Sequence, residues 1–239
     1  MKDLHVHVGP WKFDVNHTTL PQIRKEMKNA GVEKFAVMVS APDDHHTHVA
    51  NINLLNESEG LNFIYWLDPR DTRLSELDSI GNRLMAVKLH PSYTRTRPDS
   101  LKMQKFLDWC ERNRKPLMVH CGRWNKYADY RFTVNVLRER KLTAILAHMG
   151  GPAYDLKANA LDFISAQALK GRLMVDTSTC FQPYLIEKAV KTLGAENVIM
   201  GSDYPLHHPT PTMQTVQMAR IAGGSVRRIL DLNYEEMTP

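Results

Sequence analysis

The sequence of 239 residues has no long hydrophobic run. No stretch approaches the roughly 18 uncharged apolar residues that a membrane-spanning helix needs, which argues against an integral membrane protein. The first residues, from Met1 to His5, include no apolar run of the kind found in a secretory signal. We therefore expect a cytoplasmic protein that has no membrane partner.

Cysteine is also scarce. The sequence contains only Cys110, Cys121 and Cys180, which are too few for a disulfide framework. Such usage is typical of a reducing compartment. Hydrophobic residues make up 43% of the chain, enough for a large core, and this excludes a mainly disordered protein.

A concentrated basic region is missing too. The 31 Lys and Arg residues outnumber the 26 Asp and Glu residues, for a net charge of +5, but both signs are interspersed along the chain. No zinc-finger spacing and no aromatic–basic sheet signature occurs. We expect no nucleic-acid partner, and the positive balance favours a small anionic molecule instead.

Short β-rich apolar runs recur along the chain, separated by stretches with helical periodicity. They begin near Lys2, Lys34, Leu61, Leu84, Pro116, Leu142, Arg172 and Asn197. Strict alternation predicts a parallel sheet, and eight units in a chain of this length predict an α/β fold, the closed (β/α)8 TIM barrel. An open doubly wound sheet is the alternative, but no glycine-rich phosphate loop follows the first run. No linker-like segment occurs, so we expect a single domain over residues 1–239; a homodimer is compatible with the sequence.

Polar residues interrupt these apolar runs. Strands of a parallel barrel are covered on both faces and should be almost wholly apolar. Side chains alternate along a strand, so the first run should point Asp3, His5 and His7 into the barrel and Leu4, Val6 and Val8 toward the helices. Later runs end in polar residues as well, and these are Lys88 and His90, His120, His148 and Asp203.

Each of these residues has a simpler explanation when taken alone. A histidine after a strand is commonly a hydrogen-bonded structural residue, and an aspartate close before a proline is commonly a turn residue. Together they are harder to explain, because the C-terminal ends of all barrel strands meet at one mouth. Clustered buried titratable groups are unfavourable unless something binds them, and a divalent cation provides that compensation.

These motifs resemble the amidohydrolase superfamily, and within it the branch that includes aminocarboxymuconate-semialdehyde decarboxylase. In chain order they are Asp3-x-His5-x-His7, Lys88-Leu89-His90-Pro91, His120-Cys121-Gly122, His148-Met149-Gly150-Gly151 and Gly201-Ser202-Asp203-Tyr204-Pro205. The resemblance implies one divalent metal ion held by His5, His7, His120 and Asp203. It also implies that His148 is a general acid/base and that Asp203 accepts the proton of a metal-activated water. Such ligands suit Zn²⁺, with Mn²⁺ or Fe²⁺ as alternatives.

Three further residues are candidate substrate ligands. Lys88 either binds a substrate anion or, as in some superfamily members, is carboxylated and bridges a second metal ion. His90 is expected in the pocket wall, where it contacts the substrate or makes a structural hydrogen bond. Arg123 follows His120 by three positions and is the favoured ligand for a substrate carboxylate, which a guanidinium binds with two hydrogen bonds. Other loop cations, such as Arg70 and Arg97, either join this rim or are solvated surface charges.

The leading hypothesis for function is a metal-dependent hydrolase, in which an activated water attacks the amide, ester or lactone carbonyl of a small anionic substrate. The alternative is a metal-dependent decarboxylase of a carboxylated aromatic or enol-like molecule, and no single residue separates the two. A third hypothesis is a barrel without catalysis that serves as a binding protein. The presence of all five metal-linked positions argues against it.

Overall fold

Eight parallel strands form the sheet of the structure, a computed structural model that describes residues 1–9, 19–40, 46–122, 125–167, 169 and 171–237. Strands β1 to β8 pair with one another in chain order. They span Lys2–Val8, Lys34–Val39, Asn62–Leu67, Leu84–Leu89, Leu117–Val119, Ala144–Leu146, Leu173–Asp176 and Val198–Ile199. Every strand begins within two residues of the position predicted from the sequence.

Hydrogen bonds between the first strand and the region of the last complete the barrel. The amide of Leu4 donates to the carbonyl of Met200 at 3.0 Å, and the amide of His7 donates to the carbonyl of Tyr204 at 2.7 Å. The predicted (β/α)8 barrel is therefore confirmed, and the open doubly wound sheet is excluded.

Helices cover the outside of the barrel. Helices α1 to α12 span Leu20–Asn29, Thr47–Glu57, Leu74–Ile80, Pro91–Thr94, Gln104–Arg112, Asn125–Ala128, Tyr130–Glu139, Tyr154–Ser165, Pro183–Leu193, Pro209–Met218, Gly223–Arg227 and Asn233–Met237, with a π-helical turn, Arg228–Leu232, joining the last two. The helical periodicity is illustrated by α1, which buries Leu20, Ile23 and Met27 on one face. Within the described ranges, every helix is too short or too polar to cross a membrane.

Two hydrophobic layers lie on the two faces of the sheet. The outer layer packs between strands and helices. The inner layer fills the barrel with side chains from all eight strands, which include Leu4, Met38, Ile64, Ala86, Met118, Ile145, Met174 and Ile199. Lys88, His120 and Asp176 each lie two residues beyond a member of this layer, on the same strand or at its end. The barrel interior is consequently polar on the C-terminal side of this apolar layer.

A bulge in β1 changes the predicted side-chain pattern. Asp3 pairs with Phe35 whereas Val6 pairs with Val37, so β1 contains one extra residue between these two pairs. Leu4 therefore joins the inner layer, and its predicted position toward the helices is wrong. Strict alternation fails here because the extra residue resets the side-chain pattern within the strand.

Candidate active site

Three predicted metal ligands converge where the first and last strands meet. The Nε2 atoms of His5 and His7 are 3.1 Å apart, and Asp203 Oδ1 lies 3.2 Å from the first and 3.3 Å from the second. All three side chains are buried. Two of them come from β1 and the third from the turn after β8.

The other ring nitrogen of each histidine has its own partner. His5 Nδ1 lies 2.8 Å from Asp176 Oδ2, and His7 Nδ1 lies 3.0 Å from the carbonyl oxygen of Val39. An imidazole that donates through Nδ1 keeps its lone pair on Nε2, so both rings present a ligand atom toward Asp203. Burial lowers the pKa of His7, which favours the neutral form that binds metals.

These separations suit a metal ion. In a four-coordinate site with bonds of about 2.0–2.1 Å, neighbouring ligand atoms are about 3.3 Å apart. The three separations found here lie between 3.1 and 3.3 Å. Two imidazoles and a carboxylate form a donor set for Zn²⁺, Mn²⁺ or Fe²⁺, so these residues fit a single divalent cation.

The backbone and Asp3 hold Asp203 in position. The φ angle of Asp203 is 66°, in the left-handed region, and its amide donates to the carbonyl of His5 at 2.9 Å. Asp3 Oδ1 accepts hydrogen bonds from the amides of His5 and Ser202, both at 3.0 Å. Burial acts to raise the pKa of Asp203, but interactions with His5 and His7 outweigh it and hold this pKa below its ordinary value. Asp203 is therefore ionised at neutral pH.

Asp176 and Ser178, at the end of β7, orient His148. Asp176 Oδ1 accepts hydrogen bonds from the His148 amide at 2.8 Å and from the Ser178 hydroxyl at 2.5 Å. Ser178 Oγ in turn lies 2.8 Å from His148 Nδ1, which leaves Nε2 of His148 directed elsewhere. Burial acts to raise the pKa of Asp176, but His5 and His148 together lower it to about 2.

Sequence reasoning missed both of these positioning residues. Leu173-Met174-Val175-Asp176 is an apolar run that ends in a titratable residue. The same signal selected His120 and Asp203, so Asp176 could have been found from it. Ser178 carries no comparable signal, because a serine after a strand is an ordinary loop residue.

His120 lies beside His148 and stands apart from the three converging ligands. Its Nδ1 is 2.9 Å from His148 Nε2, and neither group of possible metal ligands found among the described residues includes it. His90 stacks on the His120 ring with centroids 3.7 Å apart, and its Nδ1 accepts a hydrogen bond from the Tyr93 amide at 3.2 Å. The role of His120 as a fourth metal ligand stays a prediction.

Lys88 is an internal cation of the site. Its side chain is buried, and Nζ lies 3.2 Å from His5 Nε2. Burial lowers the pKa of Lys88 to about 8, although Asp176 and Asp203 oppose this shift. A second group of possible metal ligands consists of His5, His148 and Asp176. The structure therefore places Lys88 against His5, a predicted metal ligand, and leaves the carboxylation of Lys88 a prediction.

A cavity of about 640 Å³ opens beside this cluster. Its lining includes His90, His120, His148 and Asp203, together with Tyr154, Lys157, Thr179, Phe181 and Leu206, but Lys88 is not among the lining residues in the described part of the chain. The predicted substrate ligand Arg123 lies outside the described residues.

Two other rim candidates already have partners. Arg70 binds Asp68, with Nη2 2.6 Å from Oδ2, and Arg97 binds Asp99 at 2.7 Å. Since each guanidinium faces a carboxylate of its own chain, the interpretation of these two arginines as structural surface charges is the better one.

A parallel (β/α)8 barrel with titratable residues gathered at the C-terminal ends of its strands has the architecture of a barrel enzyme. The chain belongs to the amidohydrolase family, whose model matches residues 3–235. The resemblance inferred from the sequence motifs is thereby confirmed for the superfamily.

Several solved structures share the fold. The match to 5-carboxyvanillate decarboxylase from Sphingomonas paucimobilis covers 99% of this chain and 98% of that chain, with 14% identity and a TM-score of 0.76. A proposed 2-pyrone-4,6-dicarboxylic acid hydrolase from Pseudomonas putida has 15% identity and a TM-score of 0.75, with 99% of this chain and 96% of that chain covered. A dihydroxybenzoic acid decarboxylase from Polaromonas sp. JS666, solved with bound manganese and 2-nitroresorcinol, has 12% identity and a TM-score of 0.73, with the same coverage. Among curated proteins, none matches this sequence significantly.

Proposed function

We propose that this protein is a metal-dependent hydrolase acting on an amide, ester or lactone of a small anionic molecule. The observation that carries the proposal is the presence of two separate groups that can transfer protons, Asp203 and His148, which both line one cavity. Hydrolysis needs a base for the attacking water and an acid for the leaving group, and two groups meet that requirement.

One divalent cation, with Zn²⁺ as the first choice, would be held by His5, His7, His120 and Asp203. Such a cation lowers the pKa of a bound water to near 7 and polarises a carbonyl. The Polaromonas decarboxylase holds manganese, which keeps Mn²⁺ among the candidates.

The residues of the chain divide the proton transfers between them. Asp203, held against the two imidazoles, accepts the proton of the attacking water. His148 lies against Ser178 through Nδ1, so its neutral ring has a free lone pair on Nε2, and burial lowers its pKa to about 3. Nε2 would therefore first take up the proton that Asp203 receives from the attacking water and then pass it to the leaving group. His90 and His120 form the stacked wall beside them. Asp176 is a positioning residue that links His5 to His148.

Decarboxylation of a carboxylated aromatic or enol-like molecule is the second candidate. It is favoured by the neighbours in fold, since two of the three described above are named decarboxylases. It is also favoured by the apolar side chains of Tyr154, Phe181 and Leu206 in the cavity wall, which suit a flat apolar substrate. This reaction needs one proton donor, at the carbon that loses CO₂, and His148 could serve as that donor.

An isotope experiment separates the two reactions. Protein loaded with Zn²⁺ or Mn²⁺ is incubated in H₂¹⁸O with a panel of anionic lactones, esters and amides and a panel of aryl carboxylates. Hydrolysis places one ¹⁸O atom in the product acid, and Asp203→Ala abolishes the turnover while the circular dichroism spectrum stays unchanged. Release of CO₂ without ¹⁸O in the organic product would replace the proposal by the second candidate.

The remaining expectations are also proposals. The substrate is a small molecule and the chain is a single domain over residues 1–239. A cytoplasmic location agrees with three cysteines that are all free and buried. Light scattering of the purified protein decides whether it is a homodimer.

A further inference from the structure

Lys157 is a buried cation whose hydrogen-bond partners, among the described residues, are both uncharged. It lies in the first turns of α8 and is 1% exposed, yet it lines the cavity. Its Nζ donates to the carbonyl oxygen of Gly151 at 2.6 Å and to Thr179 Oγ1 at 3.0 Å, and both acceptors are uncharged. No carboxylate of the described ranges forms a salt bridge with it, and Asp176 acts on it only as a more distant charge. A buried ammonium group with only neutral hydrogen-bond partners favours the binding of an anion, which would neutralise its charge.

The N-terminus of α8 lies at the same place. Pro152, Ala153 and Tyr154 line the cavity, and Ala153 occupies the N-cap position, where its side chain offers no hydrogen-bond acceptor. The first amide groups of a helix have no intrahelical partner and carry partial positive charge. The helix N-terminus and the full charge of Lys157 therefore both contribute positive potential at this wall, and the exposed Asp155 in the same turn opposes part of it.

The neighbouring wall is apolar. Tyr154, Phe181 and Leu206 line the cavity and are 48%, 43% and 49% exposed, so their side chains are accessible to a ligand. Phe181 also packs edge-on against His207, with ring centroids 5.2 Å apart. The combination suits a ligand with an apolar body and one anionic end.

We propose that Lys157, together with the N-terminus of α8, binds a carboxylate of the substrate. Lys157 would be a specificity-determining residue that selects anionic over neutral molecules, and the rest of the substrate would extend toward His148 and Asp203. This orientation rests on the proposed function, whereas the anion subsite itself does not. Burial lowers the pKa of Lys157, and a bound carboxylate would raise it again.

Binding to the metal-free protein tests the subsite without turnover. Benzoate and benzamide are the probes, because they share a shape and differ in charge, and isothermal titration measures both. We expect the parent protein to bind benzoate at least tenfold more tightly than benzamide and Lys157→Met to lose this preference. Lys191→Met is the matched control, since Lys191 is an exposed residue in the last turn of α9, and it should keep the preference.

Two further variants separate charge from structure. Lys157→Gln retains a donor for the Gly151 carbonyl but has no charge, so it should fold and yet lose the preference. Lys157→Arg keeps the charge and should retain part of the preference for benzoate over benzamide. Retention of the parent preference by Lys157→Gln, or no preference in the parent protein, would overturn the proposal.

The same variants distinguish this proposal from the proposed function. If no substrate is turned over but Lys157→Gln still loses the benzoate preference, the subsite is supported and the hydrolase proposal fails. With an anionic substrate in hand, Lys157→Gln should raise KM at least tenfold with little change in kcat, whereas Asp203→Ala should abolish kcat. An unchanged KM in Lys157→Gln would contradict the subsite.

Discussion

The imidazole of His5 and the carboxylate of Asp176 meet at 2.8 Å between Nδ1 and Oδ2, across 171 positions of sequence. The other oxygen of Asp176 binds the amide of His148 and the hydroxyl of Ser178. One carboxylate on β7 thus orients a predicted metal ligand on β1 and the predicted acid/base after β6. Through its two oxygens, Asp176 positions the predicted metal ligand and the predicted acid/base relative to each other.

Asp176→Asn should weaken metal binding. An amide in place of the carboxylate no longer favours the Nδ1-protonated form of His5, and loss of such a partner typically lowers metal affinity by about 10–100-fold. Competition with a chromophoric chelator measures the affinity for Zn²⁺. The control is Asp162→Asn, which removes only an ion pair with Lys188 and should bind like the parent. Equal affinity in Asp176→Asn and the parent would show that the contact does not support the metal site.

Gly201→Ala should disturb the site while the fold persists. A Cβ at Gly201 would lie 2.9 Å from the Cβ of His5 and 3.3 Å from that of Asp176, so His5 must shift. We expect at least tenfold weaker Zn²⁺ binding, read by the same competition assay. Gly223→Ala is the matched control, because nothing lies within 4 Å of the added methyl group. Parent-like affinity in Gly201→Ala would mean that His5 does not depend on this close approach.

Protein purified without chelator should contain about one equivalent of divalent metal per chain, as elemental analysis measures. His5, His7 and Asp203 supply one compact donor set, and Lys88 already contacts His5 as an amine. Removal of the metal should lower the Tm, because a ligand that binds only the folded state stabilises it. Two equivalents would instead support a carboxylated, bridging Lys88.

The three thiols should be inert in the native protein. Burial raises the pKa of Cys110 to about 12 and that of Cys180 to about 11, and it holds the pKa of Cys121 well above its ordinary value. The reactive thiolate is therefore nearly absent at pH 8. A chromogenic disulfide reagent should detect no fast-reacting thiol until guanidinium is added and then three per chain. A fast-reacting thiol in the native state would contradict the burial of these cysteines.

Glu235→Gln should reduce stability in a pH-dependent way. Hydrogen bonds from Lys2 and Lys34 lower the pKa of Glu235 from 4.5 to about 2. A folded-state pKa below the unfolded value contributes stability above about pH 4.5, and this contribution is lost as the pH falls toward 2. The Tm difference from the parent should therefore narrow between pH 6 and pH 3, and shrink in 1 M salt. Glu139→Gln, an exposed control in α7, should show no such trend.

The described site divides into parts that the sequence predicts and parts that it does not. His5, His7 and Asp203 follow from titratable residues at strand ends, and the barrel brings them within 3.3 Å of one another. The outward position of Leu4 was predicted wrongly, because one extra residue in β1 changes the alternation. Lys157 was missed because a lysine in a helix is usually an exposed charge, and only the packing of α8 against the loop at Thr179 buries it.

By itself, the sequence determined the order and spacing of the strands, the helical faces and the family. These depend on side-chain periodicity and on motifs within a few residues of one another. Only the tertiary structure decided which atoms meet: Asp176 with both His5 and His148, His120 with His148, and Lys157 with the cavity. The physical reason is that barrel closure joins strands far apart in the chain, and a shift of one residue in register changes which side chains share a face.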